Sequence, residues 1–186
     1  MEFLEKQGKL AFPSGHIRIV ACRSSPVRHA HPSRKNALPK YTSEGIVHRL
    51  LLHKSAAADL DEIDIRDLHV GYDLRILLQR LGKNQRLLES LTIRGFGALG
   101  DEPLSADPWI AQQARGRNLW RLKFWELEDK GQRFRAIYTL DPRVHHYYVL
   151  AILNRDFNYE SNHPRVLQVL EVHDNLGIPG FPGSPT

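Results

Sequence analysis

The 186-residue chain is poor in sulfur, with one cysteine, Cys22, and one methionine. A lone thiol excludes an internal disulfide and cannot build a cysteine-based zinc site. A reducing, cytoplasmic setting is the expectation that follows. Long apolar runs are missing too: none approaches the roughly 20 residues a membrane helix needs, so no membrane partner is expected. The opening Met1-Glu2-Phe3-Leu4-Glu5-Lys6-Gln7 lacks a positive segment followed by an apolar one, which predicts no secretory signal. Acids are scarce in residues 1–43, where Glu2 and Glu5 face eight lysines and arginines. The net charge of +5 therefore belongs to this leader, and the rest of the chain is slightly acidic.

Residues 1–43 are rich in Pro, Ser, His and Arg, with one short apolar run at 16–22. Such a composition predicts a basic, flexible extension; a nucleic-acid-binding arm and an incidental leader are both open. Residues 178–186, dominated by Gly and Pro, are expected to be a mobile tail. A single domain over 44–177 remains, long enough to bury a core.

Within that domain a strand is expected over 45–53. A first helix follows with Ser55 as its cap, early Asp59, Asp61 and Glu62, and a thin stripe of Leu60, Ile63 and Asp67. A second helix, capped by Asp73, carries Leu74, Leu77, Leu78, Leu81, Leu88 and Leu91 at helical spacing. Residues 94–118 read as loop, with one helical turn near 109–114. The segment GFGALG at 95–100 matches the dinucleotide-binding pattern letter for letter. A helix precedes it and Asp101-Glu102-Pro103 follows, the wrong context for that motif, so the reading is rejected.

Three strands are then predicted at 119–127, 133–140 and 146–154, joined by turns at Glu128-Asp129-Lys130-Gly131 and Asp141-Pro142-Arg143. Short connections make an antiparallel meander. Because side chains alternate faces along a strand, Trp120, Leu122 and Phe124 share one face, and Arg121, Lys123 and Trp125 the other. On the second strand Phe134, Ala136 and Tyr138 oppose Arg133, Arg135, Ile137 and Thr139. Arg155 and Tyr159 come directly after the third. A closing helix is expected from Pro164, with Val166, Val169, Leu170 and His173 on its inner face. The predicted class is α+β, in the order β-α-α-β-β-β-α, with the meander packed on a helical hairpin.

This order resembles the RelE/ParE toxin superfamily of bacterial toxin–antitoxin modules, over about residues 46–177. The opening Lys54-Ser55-Ala56-Ala57-Ala58-Asp59-Leu60 is similar to the family's first helix. Leu119-Trp-Arg-Leu-Lys-Phe, Arg133-Phe-Arg-Ala-Ile-Tyr138 and Asn154-Arg-Asp-Phe-Asn-Tyr159 resemble its aromatic-basic strand, its (Tyr/Phe)-Arg-x-x-Tyr strand and its Arg-x-x-x-Tyr ending. In the ribosome-dependent endonuclease branch the active site falls on positions that match Arg121, Lys123, Arg135, Arg155 and Tyr159. The resemblance implies an mRNA interferase: Lys123, Arg135, Arg155 and Tyr159 catalytic, Arg121, Arg133 and Trp125 holding RNA. It implies mRNA, the ribosome and a cognate antitoxin as partners. The alternative within the same family is a non-catalytic module, either a gyrase inhibitor of the ParE kind or an inactive toxin that binds its antitoxin.

The chemistry expected of such a set uses no metal and no cofactor. The neighbouring 2′-hydroxyl is the nucleophile, and protein groups deprotonate it, stabilise the phosphorane-like transition state and protonate the leaving oxygen. Lys123 is the expected base, its ammonium disfavoured by Arg121, Arg135 and Arg155. Arg121 and Arg135 offer forks for phosphate oxygens. Tyr159 is expected to donate a proton or stack on a base. His145 and His146 are adjacent on a strand and point to opposite faces, a poor metal pair. Read without the family, Arg135 can instead pair with Glu126 across the hairpin, Tyr159 can cap the core and Trp125 can be plain packing.

Overall fold

The computed structural model describes residues 46–157, 159–160 and 162–180, together with the backbone of Ile19–Val20. The expected leader and tail lie otherwise outside the described residues. The fold is α+β, with a mixed sheet in the order β1-β2-β6-β5-β4-β3. Its strands are β1 (Ile19–Val20), β2 (Arg49–His53), β3 (Leu104–Pro108), β4 (Leu119–Phe124), β5 (Phe134–Asp141) and β6 (His146–Asn154). The helices are α1 (Lys54–Arg66), α2 (Leu68–Lys83), α3 (Gln85–Ser90), α4 (Ile110–Gln113), α5 (Trp125–Asp129) and α6 (Pro164–Asn175). β4, β5 and β6 form the expected antiparallel meander, while β2 joins β6 in parallel and β1 joins β2 in parallel. Ile19–Val20 falls inside the one apolar run of the leader.

Several boundaries differ from the sequence reading. His53, not Ser55, caps α1: its Nδ1 accepts from the Ser55 amide at 3.1 Å. Asp67, placed on an apolar stripe by its spacing, instead caps α2 by accepting from the His69 and Val70 amides. Asp73 therefore lies inside α2. The second helix also stops at Lys83, because Asn84 caps a separate α3 that holds Leu88, with Leu91 just beyond it. Part of the expected 94–118 loop is the edge strand β3, antiparallel to β4. The strand predicted to reach 127 ends at Phe124, and residues 125–129 turn into α5, closed by Gly131 in the left-handed region that a helix C-terminus favours. The tail predicted as mobile from 178 begins packed, with Ile178 9% exposed.

The glycine-rich loop has a different duty from the one rejected above. The Gly95 and Phe96 backbone pairs with Ala106 and covers part of the β3 edge. Gly97 has φ +66°, and a Cβ there would lie 1.9 Å from the Leu104 carbonyl oxygen, so no other residue fits without moving backbone.

Two cores sit on the two faces of the sheet. One joins α1, α2 and α3 to Trp120, Leu122, Phe124, Ala136, Tyr138, Tyr147, Val149 and Ile152. The other joins Val166, Val169 and Leu170 of α6, with Trp109, to Leu119, Ile137, Leu150, Ala151 and Leu153. His173 completes the buried α6 face as its spacing predicts. The alternation expected on β4 and β5 is thus realised. β6 breaks it once: Tyr138 faces Val149 and Ile137 faces Ala151, leaving Leu150 as the extra residue of a bulge.

Two ion pairs tie the layers, one half-buried and one at the surface. Asp59 of α1 accepts from the Ile152 amide at 2.8 Å and from Arg165 of α6 through both oxygens, while Arg165 also donates to Ser55 Oγ at 3.0 Å. On the far end of α6, Arg117 forks onto Asp174 at 2.9 and 2.8 Å. That hydrogen-bonded fork, against a smaller opposing pull from burial, holds the Asp174 carboxyl down to about 2 from an ordinary 3.8. Its folded-state value lies below the unfolded one, so its contribution to stability is complete above the unfolded value and fades as pH falls towards 2. Acid melting of wild type and Asp174→Asn should therefore converge as pH is lowered from about 4 to about 2. A stability gap that is unchanged over that range would contradict the pairing.

Candidate nucleic-acid interface

Each predicted cation is placed by strand phase. Leu119 belongs to the α6-side core, so Arg121 and Lys123, two and four residues on, share that face. Ile137 puts Arg135 on it in the same way. Arg155 reaches it only because of the bulge. Strict alternation from Tyr147 and Val149, which face the helical hairpin, would send residue 155 to the hairpin side. The extra Leu150 shifts the phase so that Ala151 and Leu153 face α6, and Arg155 follows them. Its amide is then pinned to the Arg133 carbonyl at 2.6 Å.

The centre of the cluster is a residue the sequence reading did not select. Glu128, on α5, accepts from Arg135 Nη1 at 2.5 Å through Oε1 and from Arg155 Nη1 at 3.2 Å through Oε2. Arg135 also donates to the Phe134 carbonyl at 2.9 Å. The cross-hairpin pair considered for Arg135 with Glu126 does not form; Glu126 instead meets Lys130 and Arg80. The sequence reading places Glu128 in a turn. The signal for it was present: Trp125-Glu-Leu-Glu-Asp before Lys130-Gly131 is a short helix with acids early and glycine at its end.

Charges around Glu128 set its ionisation. Burial pulls its carboxyl up, but the Arg135 hydrogen bond and the charges of Arg135, Arg155 and Lys123 outweigh this and hold it below the carboxylate range. Lys123 moves the other way. Burial lowers it first, Arg135 and Arg155 lower it further, and Glu128 and Asp107 oppose them. Its ammonium lies 3.2 Å from the centre of the Trp125 ring, a contact that favours the charged form. Trp125 is half-buried at the start of α5 rather than on the strand, and its indole N–H donates to the Gly97 carbonyl at 2.9 Å. The Gly97 turn therefore orients the ring on which Lys123 rests.

Arg121 is half-buried opposite Asp107 of β3, and its Nε has no hydrogen-bond partner among the described residues. Arg133 is exposed at the rim. Tyr159 packs edge-on to Trp109 and Phe157, with ring centres 5.4 and 5.3 Å away, which makes it a cap on the α6-side core. Its buried hydroxyl has no hydrogen-bond partner among the described residues; burial raises its pKa, while Arg121 and Arg135 counteract. The structure thus gathers Lys123, Arg135 and Arg155 about one carboxylate, with Tyr159 packed in the α6-side core beside them.

The cluster is half-buried and opens to solvent at Arg155 and Arg133. A cavity of about 570 Å³ lies elsewhere, between α1 and the ends of β5 and β6, lined among others by Asp59, Phe134, Asn154 and Arg165. None of Lys123, Arg135 and Arg155 borders it. Among the described residues no helix is long and apolar enough to cross a membrane, and no group of three or more His, Cys, Asp or Glu is placed to hold a metal ion. Compared with known proteins, the chain finds no counterpart: no family model, no curated protein and no solved structure matches it.

Proposed function

We propose that this chain is a RelE/ParE-like toxin of a toxin–antitoxin module, a cytoplasmic endoribonuclease that cleaves mRNA on the ribosome and is restrained by an antitoxin. The observation that carries the reading is the convergence of Lys123, Arg135 and Arg155 on one sheet face around a single point. The succession β2-α1-α2-β4-β5-β6-α6 supports it, since β3, α3, α4 and α5 enter as short insertions between those elements.

In this reading the 2′-oxygen attacks phosphorus, forming one P–O bond as the bond to the 5′-oxygen breaks. The 2′-proton leaves to Lys123 and the 5′-oxygen takes a proton from solvent water, giving a 2′,3′-cyclic phosphate and a 5′-hydroxyl. Arg135 and Arg155 stabilise the extra charge on the non-bridging oxygens. Lys123 serves as base once it leaves the Trp125 ring and loses a proton, which burial and the two arginines favour. Arg121 and the exposed Arg133 hold flanking phosphates. Purified protein added to a translating extract should halt synthesis and cut message at defined positions; intact message would reject the reading.

One observation favours the alternative, a binding module without chemistry such as a ParE-like gyrase inhibitor or an inactive toxin. Arg135 is already paired and its side chain is only 14% exposed. That reading predicts uncut message, with DNA damage on expression in the gyrase case.

A further inference from the structure

Glu128 imitates a bound phosphodiester. A phosphodiester spreads one negative charge over two non-bridging oxygens, and arginine forks recognise that pattern as they recognise a carboxylate. Here the two carboxylate oxygens each meet a different arginine, Arg135 at 2.5 Å and Arg155 at 3.2 Å. The Arg135 and Glu128 side chains are 14% and 13% exposed, so water competes little on that side, while Arg155 at 50% marks the open side. α5 itself is fixed: Leu127 is 1% exposed and the Trp125 indole is tied to Gly97. Displacing the carboxylate therefore takes a rotation of the Glu128 side chain and no movement of α5.

We propose that Arg135 and Arg155 form a phosphate site that Glu128 keeps closed in the free chain, and that a phosphodiester opens it by displacing the Glu128 carboxylate. The inference rests on the proposed RNA reading for the identity of the incoming strand. It adds a selection step. An isolated phosphate must break two charge-assisted contacts and gains only their equivalents. A polynucleotide brings neighbouring phosphates to Arg121, Lys123 and Arg133 as well, and only that added attraction makes the exchange favourable. Glu128 thus discriminates strand from free phosphate without touching a base.

The test titrates inorganic phosphate calorimetrically into wild type and Glu128→Gln, which keeps the shape and removes the charge. Glu128→Gln should bind phosphate about tenfold tighter or more, and Glu128→Gln combined with Arg135→Ala should lose the gain. Equal affinity in wild type and folded Glu128→Gln would overturn the proposal. Should Glu128→Gln be unfolded in phosphate-free buffer, adding phosphate should restore its melting transition, and no recovery would overturn it equally. Message cutting by the same two proteins separates this from the nuclease reading. A gain in phosphate binding with no cutting by either keeps the closed site and rejects the nuclease; cutting by wild type with equal phosphate affinities does the reverse.

Discussion

Arg135→Ala is expected to lower message cleavage by about 100-fold or more, the scale lost when one preorganised donor to a developing oxyanion is removed. Arg135 donates to the Phe134 carbonyl at 2.9 Å, a backbone contact that does not depend on Glu128, so its guanidinium stays held when the phosphate enters. Such preorganisation is what makes a donor effective in the transition state. Arg135→Lys keeps the charge but loses the fork, and should recover only part of the rate. Circular dichroism and melting confirm that the variants are folded, which matters because the substitution also strips Glu128 of its shorter contact. A folded Arg135→Ala that cuts message as fast as wild type removes Arg135 from the chemistry.

The largest effect on stability is expected at Asp59. Its carboxylate joins three layers: α1 carries it, the Ile152 amide of β6 donates to it, and Arg165 of α6 grips both of its oxygens. Asp59 and Arg165 side chains are 15% and 18% exposed. Burial raises the Asp59 carboxyl, and the Ile152 amide and Arg165 act against it, as for an ion that is desolvated and then partly compensated. Asp59→Ala leaves Arg165 without that compensation and orphans the Ile152 amide, at a cost of about 3–5 kcal/mol in denaturant unfolding. Asp59→Ala with Arg165→Met removes both charges and should recover much of the loss, because breaking a buried pair costs more than replacing it. Equal losses in the single and double variants would contradict the latch.

Much of this molecule is legible from pattern alone. The meander, the facing of Trp120, Leu122 and Phe124 against Arg121 and Lys123, and the four inward positions of α6 follow from periods of 2 and 3.6. Capping was harder to read. Asp67 and Asp73 have similar sequence credentials, and only the turn between α1 and α2 decides that Asp67 takes the amides. β3 was hidden because Pro103 and Pro108 bracket it, and proline is tolerated there only because the strand lies at an edge.

The candidate site divides the same way. Arg121, Lys123 and Arg135 are placed by simple alternation. Arg155 is placed by the Leu150 bulge, a tertiary adjustment that no count along β6 foretells. For Glu128 the short helix is legible in Trp125-Glu-Leu-Glu-Asp before Lys130-Gly131, but the folding of that one acid back onto the cations is not. Trp125 shares the Lys123 surface, as expected, but from α5 and not from the strand. It is held there by Gly97 from a loop 28 residues away, not by strand phase.

The most direct measurement is the chemistry of the cut ends. Message recovered from a translating extract treated with the purified chain should carry 5′-hydroxyl ends and 2′,3′-cyclic or 3′-phosphate ends, because the 2′-oxygen is the nucleophile. Ends bearing a 5′-phosphate and a 3′-hydroxyl, or message with no new ends at all, would contradict the account.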